Sequence, residues 1–418
     1  MSNLVLLLFL VFFFSRTLVE TALLLLNLRH ARAMGEAIPA SLVGHITPET
    51  MQRSRAYTQA NGRFTLVHGL FGAGLTLGVL LSGFLPALAD RLTRLGLAGA
   101  HLFVLFLVAL FAVLGLADLP FGLYQSFTIE TRFGFNRLTW RLWLIDRAKG
   151  LVLGAGLGVP LLYASYGFMS FAGDRWWLWM FAFLVVLQVF LLWFYPTVIA
   201  PLFNKFVPLP DGDLKQRLEN LARDTGFRNR GLYVMDASRR SGHSNAYFTG
   251  LFRPRIVLFD TLVEKMTVDE AAAVLAHEIG HYKGRHIQRR LLWGLGSMLV
   301  MLFVLSKLAA WPPLFQAFGF AAPSFHAALA LLSLGGGAFT FFFDPFQAWL
   351  SRRNEYQADR FSVVHTRQPE ALKSALIRLG GDNLSNPTPH PWYSAWHHSH
   401  PTLLDRLNTI DTAAKGPR

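Results

Sequence analysis

Cysteine is absent from this chain of 418 residues, which removes disulfide frameworks, thiolate metal sites, iron–sulfur clusters and cysteine nucleophiles together. Any metal must be held by His, Asp or Glu. Charge is scarce as well: 15% of residues are charged against 53% hydrophobic, and mean hydropathy is +0.36. That balance argues against a water-soluble globule. Phenylalanine is abundant, with 37 copies, and the apolar residues fall into long uninterrupted blocks, the pattern of a polytopic membrane protein. Acidic residues are the rarer sign, 25 against 39 Lys and Arg, for a formal charge of +14. In a soluble protein that excess would suggest nucleic acid. Here the basic residues flank apolar spans, where sidedness and anionic headgroups account for them, so the bilayer is the expected partner and nucleic acid is not.

Seven apolar stretches of about 20 residues lie near 4–26, 64–88, 98–120, 149–172, 176–200, 291–311 and 326–350. The first is interrupted by Arg16 and Glu20, which stand at i,i+4 spacing suited to pairing. With no basic residue before it and no cleavage site, it reads as a span and not a signal peptide. The 27–63 loop, with Arg29, Arg32, Arg53, Arg55 and Arg63, and the 121–148 loop, with Arg132, Arg137, Arg141 and Arg147, read as cytoplasmic. The 312–325 segment has no Lys or Arg and belongs on the far side. Alternating sidedness then puts 201–290 and the 351–418 tail in the cytoplasm, and in a bacterium the membrane would be the inner one.

Four regions result: 1–200 with five spans and their loops, a 201–290 protease segment, 291–350 with two spans, and a 351–418 tail. The two extramembrane pieces suffice for one modest domain. Within the first, 211–225 reads as a helix ended by Gly226, GLYVMD, NAYFTG and RIVLFD as strands, and a helix follows from 268 with Thr267 and Glu270 at capping-box spacing. The tail reads as helices near 351–366, 369–379 and 401–413, with Pro369 and Pro401 suited to first turns.

The capped helix carries AAAVLAHEIGHYKGRH. His277 and His281 stand four apart, so both imidazoles leave one face one turn apart, as two ligands of one zinc require. Glu278 lies on an adjacent part of the face, where its carboxylate can reach a water at the metal without ligating it, the position of a general base. A catalytic zinc takes three protein ligands and keeps one position open. Glu355, in SRRNEYQADRF, is the third candidate, because the hairpin of spans six and seven returns it to the membrane surface that His281 leaves. Asp359, one turn on, suits an acceptor that fixes a ligating imidazole, or simply a surface partner of Arg360 or Arg352.

HSNAYFTGLFRPRIVLFDTL, HEIGH, NEYQADRF and SHPTLLDRL, in this order around seven spans, resemble the type I CAAX prenyl endopeptidase family of integral-membrane zinc proteases. LYQSFTIETRFGFN and YPTVIAPLFNKFVPL are similar too, so the likeness covers most of residues 120–410, while the first hundred match in hydropathy alone. The resemblance implies seven transmembrane helices around a water-filled chamber, capped by a cytoplasmic α+β zincin-like domain. It implies one Zn2+ per chain on His277, His281 and Glu355, with Glu278 as base. It implies that a peptide adds as a strand at Asn245, Ala246 and Tyr247, and that His400 faces the zinc and stabilises the oxyanion, with Arg406 nearby. From the residues alone, Asn245 and Tyr247 fit ordinary strand positions equally well. His400 sits among His390, His397 and His398, a crowd that equally fits a surface.

The expected activity is a zinc-dependent membrane endopeptidase. By the resemblance, its substrates are peptides or proteins cut near the C-terminus, where a tripeptide follows a prenylated cysteine. Two alternatives stand beside it: a quality-control metalloprotease that cuts unprenylated membrane polypeptides, and a seven-span transporter or receptor whose zinc is structural. Lys307 reads as a snorkelling side chain, Asp118 and Asp344 as chamber-lining or span-end residues, and Gly335, Gly336 and Gly337 as sites of close helix packing or a bend.

Overall fold

The computed structural model describes residues 1–34, 37–228, 230–249 and 254–415. Seven helical stretches among them are long and apolar enough to cross a membrane, and each apolar block seen in the sequence falls on one. The first five are built on α1 (Ser2–Ala33), α2 (Pro48–Leu81), α3 (Gly99–Tyr124), α4 (Trp140–Phe171) and α5 (Trp176–Phe194). Only 6% of the most apolar window of the fourth and of the fifth stretch is buried. Leu151, Val186 and Trp193 therefore stay exposed, an arrangement suited to hydrocarbon and costly in water.

The helices outrun their apolar blocks. α1 continues to Ala33, and α2 begins at Pro48 behind the N-cap Thr47, inside what the sequence suggested was one long loop. Hydropathy marks only the part of a helix that meets lipid, whereas backbone hydrogen bonding continues into polar sequence. Likewise α3 passes into a widened turn at Gln125–Glu130. The second block, expected to reach residue 88, breaks earlier: Gly83 adopts φ +79°, and Phe84–Arg94 forms a separate helix that buries Leu85.

After the fifth span comes a four-stranded sheet: β1 (Phe206–Pro208), β2 (Leu232–Met235), β3 (Ala246–Thr249) and β4 (Arg255–Phe259). Its order is β1-β2-β4-β3, with the central β2/β4 pair parallel and both outer pairs antiparallel. Three strands match those read from sequence, while β1, three residues ending in proline, carries too short a pattern to be recognised. The expected end of NAYFTG at Gly250 and the turn after it lie outside the described residues.

The helices of this region are α6 (Asp213–Asp224) and α7 (Val268–Lys283). Leu218, Leu258, Leu262 and Ile279 form the core between these helices and the sheet. Next come α8 (His286–Leu308) and α9 (Phe325–Gly335), then α10 (Asp344–Thr366), α11 (Pro369–Asp382) and α12 (Leu403–Ala414). The seventh stretch is interrupted between α9 and α10 at the glycine run. A Cβ on Gly337 would come 2.8 Å from Arg16 Nη1 of α1, and one on Gly335 3.3 Å from the Phe9 ring. The run therefore serves close packing against α1, where Arg16 pairs with Glu20 at 3.4 Å. In the tail, Pro369 opens α11 as expected, but Pro401 precedes the N-cap Thr402 of α12. The short helix Pro391–His397 was not foreseen.

Candidate metal centre and active site

α7 begins with a reciprocal capping box. Thr267 Oγ1 accepts from the Glu270 amide, and Glu270 Oε2 accepts from the Thr267 amide at 2.8 Å. Such a cap is worth about 1 kcal/mol. Glu270 also takes bonds from Ser374 and Arg378 of α11. Burial pushes its carboxyl up, but those donors and the Thr267 amide outweigh burial and hold it below the ordinary value.

α7 then crosses α10 at close range. A Cβ on Gly280, the glycine of HEIGH, would stand 2.9 Å from Ala358 Cα and 3.0 Å from Phe361 Cβ, so only glycine admits this approach. Ser362 Oγ donates to Ala273 O across the same crossing at 2.8 Å. The contact carries Glu355 and Asp359, both buried, beneath the two histidines.

Three ligand atoms converge there. His277 Nε2 and His281 Nε2 are 3.1 Å apart, and they lie 3.5 and 3.2 Å from the Glu355 carboxylate oxygens. A tetrahedral ion with bonds near 2.0–2.1 Å needs ligand separations of about 3.3 Å. Glu355 Oε2 is buried and makes no well-formed hydrogen bond, although His400 Nδ1 stands 2.8 Å away. Burial pushes His277 down, yet bonds to Asp359 and Glu355 outweigh burial and raise it to about 9, so the pocket favours a cation. The residues fit a divalent metal held by two imidazoles and one carboxylate.

The outer edges of both imidazoles are occupied. His277 Nδ1 lies 2.8 Å from Asp359 Oδ1, and Asp359 also accepts from Arg406 Nη2 at 2.6 Å and Nε at 2.9 Å. Neither Arg360 nor Arg352 is its partner: Arg352 donates to the carbonyls of Ser394, Ala395 and His398. On the other side His281 Nδ1 meets His286 Nδ1 at 2.9 Å, and His286 Nε2 meets Gln357 Oε1 at 3.0 Å. Sequence reasoning missed His286 and Gln357. The available sign was a histidine five residues beyond the motif, after a glycine at which a Cβ would overlap the His286 ring.

Burial pushes Glu278 above the ordinary carboxylate range, with the neighbouring His277 and His281 opposing that rise. Glu278 shares a small apolar cleft with Ala246, Tyr247 and Phe248 of β3. β3 is an edge strand. Phe259 donates to Asn245 O, so by antiparallel alternation Tyr247 pairs inward with Val257 while the main chains of Ala246 and Phe248 face outward. Asn245 Oδ1 covers the Ala246 N–H at 2.8 Å. His400 lies beside Glu355 with its side chain 65% exposed, while Arg406 is half-buried. The structure thus brings His277, Glu278, His281, Glu355, Asp359, His400 and Arg406 to one place, with β3 alongside.

Two family models tile the chain: "CAAX prenyl protease N-terminal, five membrane helices" matches residues 27–205, and "Peptidase family M48" matches residues 208–414. The CAAX prenyl protease 1 homolog of Arabidopsis thaliana is 36% identical, over 92% of this chain and 93% of that one. CAAX prenyl protease 1 of Saccharomyces cerevisiae is 34% identical over 90% and 88%, and the Homo sapiens homolog is 33% identical over 90% and 89%. The crystal structure of S. mikatae Ste24p superposes with a TM-score of 0.88 at 31% identity, covering 97% of this chain and 99% of that one. With such identity over nearly the whole of both chains, and with the sheet, spans and His-His-Glu cluster in place, this chain belongs to the CAAX prenyl protease family of M48 peptidases and is a membrane metalloendopeptidase.

Proposed function

We propose that the protein uses one zinc ion, held by His277, His281 and Glu355, to hydrolyse a peptide bond near the C-terminus of prenylated CAAX-type substrates. The observation that carries this reading is a three-ligand face whose separations suit zinc, flanked by the half-buried Glu278 carboxylate and an exposed imidazole. Zinc bound there supplies Lewis acidity, which acidifies a water and polarises a carbonyl.

The chain's own residues do the rest. Glu278 takes a proton from the attacking water and returns it to the leaving amine as the C–N bond breaks, so one water is consumed per bond cut. Its raised pKa brings its basicity closer to that of a neutral-pH base. His400 donates N–H to the carbonyl oxygen as negative charge develops. Asp359 and His286 orient the two ligating rings, and Arg406 holds Asp359 in place. Asn245, Ala246 and Tyr247 guide the substrate: the peptide adds as a strand at β3, hydrogen-bonded to outward main chain.

We place residues 201–290 and 351–418 together as a cytoplasmic protease domain, on the basic side of the seven spans. The spans enclose a hydrated chamber. His68 of α2 and Asp118 of α3 meet at 2.6 Å with both side chains exposed, and paired polar groups on spans face water or a bundle interior in preference to lipid.

The test is cleavage of a farnesylated C-terminal reporter and its unfarnesylated counterpart by purified protein in detergent. Faster cleavage of the farnesylated form supports the substrate class. Equal cleavage of both would replace it with the quality-control reading.

A further inference from the structure

β3 pairs with β4 on one side only, so the order of its first residues depends on what holds the chain just before it. Residues 240–244 lead into β3 and take no part in the chemistry above, yet groups from the second, third and fourth spans hold them. Arg240 makes a two-pronged pair with Asp146 of α4, at 2.8 and 3.0 Å. Main-chain bonds follow: the Arg137 amide donates to Arg240 O at 3.2 Å, and the Gly242 amide donates to Phe135 O at 2.9 Å.

His243 is the centre of this grip. Its ring stacks on Phe135 with centroids 3.9 Å apart, and its carbonyl accepts from Thr261 Oγ1 at 2.9 Å. His243 Nε2 stands 3.3 Å from Glu130 Oε2, and Glu130 Oε1 accepts from the Tyr57 hydroxyl of α2 at 2.7 Å. Glu130 closes the widened turn after α3, a feature frequent at functional sites. On the other side His243 Nδ1 stands 3.1 Å from Asn383 Oδ1. Ser244 fixes that amide: Asn383 Oδ1 accepts from the Ser244 N–H at 3.1 Å, and Asn383 Nδ2 donates to the Ser244 carbonyl at 3.2 Å. Both nitrogens of His243 therefore face acceptors, and a ring carrying two N–H groups satisfies them together. Glu130 supplies the opposite charge, with both side chains half-buried.

We propose that Glu130 and His243 are positioning residues: the pair clasps the chain ahead of β3 to the membrane spans and so keeps the free edge ordered for an incoming peptide strand. The inference rests on the endopeptidase reading above, and neither residue need touch the substrate. A strand ordered in advance removes an ordering cost from binding. Loosening the clasp should therefore weaken substrate binding while leaving the metal ligands and Glu278 on α7 and α10 as they are.

The test compares full-length wild type, Glu130→Gln, His243→Gln and the double variant, each loaded with zinc in detergent. Glu130→Gln keeps the shape and the acceptor for Tyr57 but removes the charge. Hydrogen–deuterium exchange without substrate reads the clasp itself. Residues 243–249 should exchange about tenfold faster in either single variant, as loss of one charge-assisted hydrogen bond implies, while residues 268–283 of α7 keep wild-type rates. Kinetics on the farnesylated reporter read the consequence: KM should rise about tenfold with kcat within about twofold and zinc content unchanged. The double variant should be no worse than the stronger single one, because both changes cut the same link. Tyr57→Phe, which removes one donor from Glu130, is the milder variant should the others fail to fold, and KM should rise about threefold.

Wild-type exchange over residues 243–249 in the variants overturns the clasp, whatever the enzyme cuts. Faster exchange with an unchanged KM refutes the positioning role. A loss of kcat or zinc that matches the rise in KM also refutes it, since that marks general damage to the fold, and a double variant whose KM multiplies both single effects refutes the shared link. The parent reading fails separately. Equal cleavage of farnesylated and unfarnesylated reporters by wild type removes the prenyl substrate and leaves the clasp standing, whereas no cleavage of either removes the endopeptidase reading and this inference with it.

Discussion

Asp359→Asn is the perturbation for which the structure gives the sharpest expectation, because one buried carboxylate serves two partners. Asp359 is 0% exposed, and it takes two bonds from Arg406 and one from His277. The amide keeps the shape but removes the charge. Arg406, with its side chain only 13% exposed, then faces just the Glu355 carboxylate at 3.9 Å. Breaking a buried pair by neutralising one partner costs about 3–5 kcal/mol. The same change loosens the His277 ring, and losing such a partner typically weakens metal binding about 10–100-fold.

The two effects separate in a double variant. Asp359→Asn/Arg406→Met removes both charges, so most of the stability should return, since apolar replacement of a buried pair is often close to neutral. Metal affinity should stay low, because His277 still lacks its anionic partner. The assays are thermal unfolding followed by tryptophan fluorescence and zinc competition against a fluorescent chelator. Zinc affinity within about twofold of wild type in Asp359→Asn would refute the orienting role. A double variant no more stable than the single one would refute the orphaned-charge explanation.

His286→Ala should weaken zinc retention about tenfold, whereas His286→Asn, which restores an acceptor toward His281, should recover part of the loss in the same competition assay. Gly280→Ala should lower thermal stability by about 1–3 kcal/mol, because its Cβ would press on the α10 backbone; an unchanged unfolding midpoint would contradict the close crossing. Glu270 has a folded pKa below its ordinary 4.5. Its stabilisation is therefore complete above that value and drains as pH falls through the folded pKa. The stability difference between wild type and Glu270→Gln should be constant near pH 7 and shrink below about pH 4. A difference independent of pH would mean that the carboxylate charge contributes nothing.

The clustering of His277, His281 and Glu355 was legible because its decisive relations are local. The spacing of His277 and His281 is one helical turn, and the Thr267 capping box announces the helix that carries them. Glu355 needed only the return of a membrane hairpin to the surface it left. The partners behind these residues are set by packing, which no local pattern encodes. Asp359 chose Arg406, 47 residues away, over the arginines beside it, and His286 reaches Gln357 across 71 residues. The spans were legible as apolar blocks, but their ends were not, since α1 and α2 extend into polar sequence where hydropathy is silent. β1 and Pro391–His397 are too short to carry a period.

The central claim is that Glu278 acts as the base beside a metal held by His277, His281 and Glu355. Its most direct test compares wild type with Glu278→Gln at matched zinc content, on the farnesylated reporter. The expected result is full metal occupancy in both proteins with cleavage by wild type alone. Equal cleavage by the two, with a contaminating protease excluded, would contradict the account.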